Sequence, residues 1–339
     1  MKILLISPFK DNGWAWLSGY FPEHEWTINN NDLFGVKLPF WFLKAITSIR
    51  GVSKYDIVIT HAPYMTLAVA FALFITGQGK KIRHFAFSFN HGNGRFFKGL
   101  YLLVAKKVLK NTSGFVVYSK AERMIFNEKY GIPLNKLSFC HWAVNRPELD
   151  EFAKDYIVNS KPYISCMGRN NRDFETFIDV MRVNPQLNAI LVCPKGRLSN
   201  INLPDNILIK NDISMKESMS VLAHSLVSVV PIKDVSTGAG HITIVSAMQF
   251  GIPQLVTRIN TVDDYFIDNH HGFYVELGGV ESMSTKLNEI INNDELREIM
   301  SKEATDFSGK WFMEQSSVNF LKKYLEAIEK NTALPEFLT

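Results

Sequence analysis

Short apolar runs alternate with longer stretches of mixed polarity along most of the chain. Ile3–Ser7, Ile57–Thr60, His84–Phe89 and Gly114–Tyr118 are brief segments rich in β-branched and aromatic residues, the length and composition of buried strands. Segments of helical length separate them, and that alternation predicts βαβ units and a parallel sheet. The pattern repeats with Tyr163–Cys166, Ala189–Cys193, Ile207–Ile209, Val227–Val230 and Gln254–Thr257, between which Asp173–Val183 and Ser214–His224 read as amphipathic helices. The expected fold is therefore α/β, with two doubly wound, Rossmann-like parallel-sheet domains facing a cleft. Ligands of such sheets sit beyond the carboxyl ends of the strands, which is where the chemistry is expected.

The strand pattern breaks near Asn145–Ile157, where Arg146-Pro147 is followed by Glu148, Asp150, Glu151, Lys154 and Asp155. This sets an N-terminal domain at 1–147 and a C-terminal domain at 148–310. With 339 residues the chain is long for one core, since single cores stop growing near roughly 250–300 residues. A last helix, Trp311–Lys330, carries Phe312, Val318, Leu321, Tyr324, Leu325 and Ile328 at helical spacing and must bury that stripe.

Composition adds exclusions. With 46% hydrophobic and 21% charged residues and no low-complexity tract, the chain reads as globular throughout. Cys140, Cys166 and Cys193 are scattered and show no metal-clamping spacing, so no metal site is expected and the thiols read as buried in a reducing compartment. The N-terminal MKILLISPF is too short for a signal h-region, and Tyr64–Gly77 falls short of the roughly 18–20 residues that cross a bilayer, so a cytoplasmic protein with a buried helix at Tyr64–Gly77 is expected. Charge is unevenly spread: 19 Lys and Arg against 7 Asp and Glu up to Pro147, then 18 against 26. No acidic residue occurs from Ile57 to Ala121.

The segment VVPIKDVSTGAGHITIVSAMQFGIPQLVT, Val229–Thr257, carries the most chemistry. A strand ends at Pro231, a loop follows with Gly238 and Gly240, and a helix begins at His241 or Ile242 and runs to Phe250 with Gly251 as its C-cap. A glycine-rich loop entering a helix offers bare N–H groups and a positive dipole end to a pyrophosphate, and Thr243 adds a hydroxyl. By itself the pattern also fits an ordinary turn.

This segment resembles the nucleotide-binding core of GT-B glycosyltransferases of the family 4, group 1 type, in which a Gly-rich turn precedes a helix of the form E-A-M-x-x-G-x-P-V; here Ser246-Ala247-Met248-Gln249-Phe250-Gly251-Ile252-Pro253-Gln254 stands in its place. Three further stretches are similar: FVVYSKAERMIFNEKYGIPLNKLSFCHWAVN, which resembles the end of the family's N-terminal domain; CMGRNNRDFETF, which resembles its G-R-x-x-[KR] turn; and Asp263–Ile267 through Gly272-Phe273. The resemblance implies a nucleotide-sugar donor, UDP- or GDP-linked, used as substrate with no cofactor. It implies that Arg169 and Arg172 clamp the donor diphosphate with Gly240, His241 and Thr243, that Ile213 meets the nucleobase, and that residues 311–339 cross back to the N-terminal domain. The family's two acidic positions fall on Gly238 and Ser246, so Gly238 and Ala239 would face the sugar, Ser246 a ribose hydroxyl, and the stereochemical outcome does not carry over. Read on their own, the arginines sit at a strand's carboxyl end, where a guanidinium suits phosphate oxygens; a surface pair with Asp173 or Glu175 is the plain alternative. Lys195, in the Pro194-Lys195-Gly196 turn, is a further nucleotide-side candidate or a solvated charge.

In the N-terminal half His61, Asn90 and His91 end predicted strands, as acceptor-side groups or as loop caps; His91, followed by Gly92-Asn93-Gly94, is the preferred base, with Arg169 as its catalytic counterpart. Arg95–Lys110, RFFKGLYLLVAKKVLK, mixes apolar and basic residues without an acid. It reads as a core helix with solvated lysines or as a peripheral contact with an anionic membrane at its inner face. Nucleic acid is not an expected partner. The function expected is transfer of a sugar to a glycan or lipid-linked acceptor, in surface polysaccharide synthesis. An NDP-sugar epimerase on the same scaffold and a degenerate binding subunit are the alternatives.

Overall fold

The computed structural model describes residues 1–7, 16–30, 38–89, 99–149, 162–234 and 238–337, without the side chains of 38–42 and 100. Two compact units divide the chain: Met1–Cys140 with Ser317–Thr339, and His141–Ser316. The sequence reading divides it at 147/148 and begins the returning segment at 311.

The first unit runs β1 (Lys2–Ser7), α1 (Leu17–Tyr20), β2 (Glu25–Asn30), α2 (Leu38–Ser48), β3 (Ile57–His61), α3 (Pro63–Ile75), β4 (Arg83–Phe87), α4 (Gly99–Leu109), β5 (Gly114–Val117), α5 (Lys120–Tyr130) and β6 (Leu137–Phe139). Its sheet is parallel in the order β2-β1-β3-β4-β5-β6. The side-chain period of two sorts β1 between two cores. Leu4 and Ile6 join α2 to α5 on one face, and Ile3 and Leu5 join Leu17, Phe21 and the chain's last helix on the other. The apolar Tyr64–Gly77 stretch is α3, opened by Pro63 at its first turn and buried along most of its length. Edge strand β2, EWTINN, is half exposed, so no apolar run marks it in the sequence.

The second unit runs β7 (Tyr163–Met167), α6 (Phe174–Val183), β8 (Asn188–Cys193), β9 (Ile207–Asn211), α7 (Met215–Ala223), β10 (Val227–Val230), α8 (His241–Phe250), β11 (Gln254–Thr257), β12 (Gly272–Val275), α9 (Val280–Ile291) and α10 (Asp294–Trp311). Its parallel sheet has the order β12-β11-β10-β7-β8-β9. Ile164 and Cys166 pack with Phe177, Met181 and Leu287 on one face, Tyr163 and Met167 with Val221 and Ala247 on the other. The three cysteines are buried thiols; burial holds the Cys140 thiol up at about 12 and raises the other two as well.

The closing helix differs from its expected bounds. α10 ends at Trp311 and α11 spans Glu314–Lys330, because the apolar stripe serves two cores. Phe312 stacks on Tyr265 in the second unit, 5.3 Å between ring centres, while Val318, Leu321, Tyr324, Leu325 and Ile328 pack under the first sheet. No described helix is long and apolar enough to cross a membrane.

Candidate active site

In the second sheet the chain runs outward from the central strand β7 through β8 to β9 and then crosses back to β10 on the other side of β7, so the crevice at the carboxyl ends of β7 and β10 is the topological switch point where open α/β sheets hold ligands. Two loops meet there. The loop after β7 is tied to the loop after β10: Asp173 N–H donates to the Pro231 carbonyl at 3.1 Å, Asn171 Nδ2 donates to the Asp234 carbonyl at 2.7 Å, and Asp234 N–H donates back to Asn171 Oδ1 at 2.9 Å. Arg172 forms an isolated bridge with Ile232. These contacts fix where the arginines of the first loop lie relative to α8.

α8 starts at His241, after Gly240 in a left-handed conformation (φ 97°) that places no side chain over the helix end. Ser119, Asp173, Ser214 and Asn293 each cap a helix by accepting from its first turn, and α8 has no such cap and no acidic residue in its first turn. Its first-turn amides have no carbonyl one turn back and keep the positive end of the dipole.

Arg172 is buried beside this bare terminus. Its Nε donates to the Met167 carbonyl at 3.0 Å, Nη1 to the Asn170 carbonyl at 3.2 Å, and Nη2 reaches Thr243 Oγ1 at 3.5 Å. Gly168 makes the space, since a Cβ there would lie 2.6 Å from Arg172 Nε and its φ of 147° already resists a side chain. Burial lowers the Arg172 pKa from its ordinary value, yet a guanidinium stays charged in proteins. No described carboxylate pairs with it. Arg197 and Lys233 are different, lying 3.8 and 3.7 Å from Glu175 Oε1. Arg169 is exposed on the same loop and pairs with no described residue.

His241 turns its ring into the protein. It lies 4.4 Å from the Tyr265 ring and its Nε2 donates to the Thr261 carbonyl at 2.9 Å, which leaves Nδ1 as the acceptor. Burial, with Arg172 nearby as a lesser cause, pushes its pKa down to about 4. At neutral pH it offers its backbone amide to an anion and no ring charge. Further along α8, Ser246 is buried with no partner for its Oγ among the described residues, one turn beyond Thr243. Ile213, after β9, packs with Phe250 against the core on this side. Lys195, exposed in the loop after β8, donates its backbone N–H to Asp212 Oδ2 at 3.3 Å. Gly238 and Ala239 precede Gly240 and are half-buried.

In the first unit His61 ends β3 with its Nδ1 3.2 Å from Ser7 Oγ, and burial pushes its pKa down to about 4. Ala62 beside it has φ 74°. Tyr118 hydrogen-bonds Ser88, whose φ is 56°. Asn90 and His91 lie outside the described residues.

Arg197 and Asn171 do not stand out in the sequence. PKGR shows Arg197 as one more loop cation, and only the fold sets it against Glu175. Asn171 has a local signal, because Asn tolerates the positive φ of 52° that the turn uses.

Residues 160–307 match the family described as Glycosyl transferases group 1. An uncharacterized glycosyltransferase of Methanocaldococcus jannaschii is 28% identical over 131 residues, 36% of this chain and 36% of that protein, so the match spans about a third of the relative's length. Sucrose-phosphate synthase from Thermosynechococcus elongatus superposes with a TM-score of 0.77 at 14% identity, over 98% of this chain and 100% of that one. The Anabaena protein HepE, solved with UDP and glucose, superposes at 0.76 and 14% identity, over 96% and 100%. Residues 160–307 thus match the glycosyl transferases group 1 family, on a chain with the GT-B fold.

Proposed function

We propose that the protein transfers a sugar from a nucleoside diphosphate donor to a glycan or lipid-linked acceptor, as in surface polysaccharide synthesis. One observation carries the reading: Arg172 is a buried cation with no described carboxylate, set against the uncapped N-terminus of α8. Burying an unpaired charge costs several kcal/mol, a cost that a bound anion between guanidinium and helix amides removes. In transfer, the acceptor oxygen bonds to the sugar's anomeric carbon as the bond from that carbon to the diphosphate oxygen breaks. The charge left on the diphosphate is met by Arg172, the α8 amides and the Thr243 hydroxyl, with Arg169 at the rim, and no metal or cofactor is assigned to this step.

Ser246 Oγ is a hydrogen-bonding group for the ribose, Ile213 and Lys195 line the nucleoside side, and Gly238 and Ala239 face the sugar. HepE was solved with UDP and glucose, which favours a uridine donor over a guanosine one. His61, held neutral, suits a hydrogen bond to the acceptor better than proton abstraction, which falls to His91 with Asn90 beside it. A cytoplasmic protein working at the inner membrane face fits a lipid-linked acceptor.

The test is a donor screen that measures nucleoside diphosphate release from UDP- and GDP-sugars with lipid-linked and free glycan acceptors. Acceptor-dependent release with a new glycosidic linkage supports transfer. Sugar isomerisation without an acceptor would replace it with the epimerase reading, and no turnover of any donor that binds would leave a binding subunit.

A further inference from the structure

Helices α2, α3 and α4 lie side by side over one face of the first sheet. α3 packs against both neighbours, and Ala45, Leu73 and Ala105, one from each helix, enter the same core. The outward side of such a layer ordinarily carries polar residues. Here it carries Leu103 and Val104 of α4 at 61% and 44% exposure, Phe74 and Ile75 at the end of α3 at 40% and 48%, and Leu43 of α2 at 59%. Leu103, Val104 and Lys107 lie on the side of α4 away from buried Ala105, Val108 and Leu109. Lys107 Nζ sits 5.5 Å from the Phe74 ring centre, so the outer face of α4 and the end of α3 form one surface.

The stretch of chain that supplies these helices carries charge almost wholly of one sign. Asp56 is the only acidic residue between Leu33 and Ala121, against thirteen Lys and Arg, and its carboxylate is taken by the Lys2 amide in the strand region. Lys80, Lys81, Lys106, Lys107 and Lys110 pair with no described carboxylate. A second copy of the same face would set like charges together. A bilayer of anionic phospholipid answers both features at once: the apolar side chains enter the boundary between headgroups and acyl chains, and the ammonium groups meet phosphates.

We propose that the outer face of α3 and α4, with α2 beside it, docks the protein on an anionic phospholipid membrane. Docking needs no nucleotide and stands whether or not the donor reading holds. The full chain is floated with phosphatidylcholine vesicles and with equimolar phosphatidylcholine–phosphatidylglycerol vesicles, at low and high salt. It should float with the anionic vesicles alone, and less at high salt. Lys107→Gln should weaken partitioning about fivefold, the factor that about 1 kcal/mol per basic residue corresponds to. Leu103→Ser with Val104→Ser should weaken it further, and Met215→Ser, an exposed residue of α7, should leave it unchanged. Circular dichroism melts confirm folding, and Lys107→Gln alone decides if the double variant does not fold. Absent flotation, equal flotation with neutral vesicles, or flotation untouched by the α4 variants overturns the proposal.

Discussion

Replacing Arg172 by Met separates an anion-binding role from a packing role, because the two give opposite results. Arg172 is buried with its Nε and Nη1 on the carbonyls of Met167 and Asn170 at 3.0 and 3.2 Å. Hydrogen bonds from a charged donor contribute about 1.5–3 kcal/mol each, and the desolvation of an uncompensated cation opposes them with several kcal/mol. The two nearly cancel. Met, unbranched and apolar, should therefore leave ligand-free stability within about 2 kcal/mol of wild type, a shift of a few degrees in Tm. Binding should change far more, since removing one partner of a buried charge pair costs about 3–5 kcal/mol, which is roughly 100- to 1000-fold or more in Kd. Calorimetric titration of UDP into wild type, Arg172→Met and Arg172→Lys, beside ligand-free melts, reads both quantities. Lys should recover part of the affinity as a point charge without the fork. An unchanged Kd in Arg172→Met, or a ligand-free loss above about 4 kcal/mol with binding retained, would refute the assignment and make Arg172 a structural residue.

Gly168→Ala places a Cβ 2.6 Å from Arg172 Nε on a backbone with φ 147°, so it should destabilise by about 1–3 kcal/mol and weaken UDP binding together with the melt. Asp173→Ala removes the α6 cap that accepts from the Thr176 amide at 3.2 Å and should cost about 1 kcal/mol in denaturant unfolding. The buried histidines make the protein acid-sensitive. His84 is held down to about 3 by burial and bonded to Thr60 and Thr112, against an ordinary value of 6.5. Between pH 6.5 and about 3 the unfolded chain binds this proton and the folded one does not, so stability is full above pH 6.5 and falls as pH drops, by up to about 1.4 kcal/mol per unit. His84→Gln should flatten that slope in melts at pH 7 and pH 5, and an unchanged slope would place the acid sensitivity elsewhere.

Apolar periodicity made the two parallel sheets legible, because buried strands such as ILLIS and VSVV stand out against their flanks. β2 did not stand out, since an edge strand of sequence EWTINN buries too little to leave a pattern. The α8 helix could be read from its glycines: Gly240 and Gly251 bracket it with φ of 97° and 70°. The end of α10 could not, because whether Phe312 and Val318 share one core or serve two is decided by tertiary packing. At the site, the sequence favours Arg169 over Arg172 as the catalytic cation, although both stand in one loop. Burial separates them, and it depends on Gly168 and on the Asn171 tie to the neighbouring loop, neither of which periodicity reports. His241 reads as a diphosphate-side residue from its place in the turn, and the structure adds that its ring faces Tyr265 and Thr261, which leaves the backbone amide for that role.

Titration of the intact chain with UDP, GDP and UMP tests the central claim most directly. If the bare α8 terminus and Arg172 hold a diphosphate, at least one nucleoside diphosphate binds with a measurable heat, and UMP, lacking the second phosphate, binds at least about tenfold more weakly, the equivalent of about 1.4 kcal/mol. Absence of binding by either diphosphate, or equal affinity for UMP and UDP, contradicts the account.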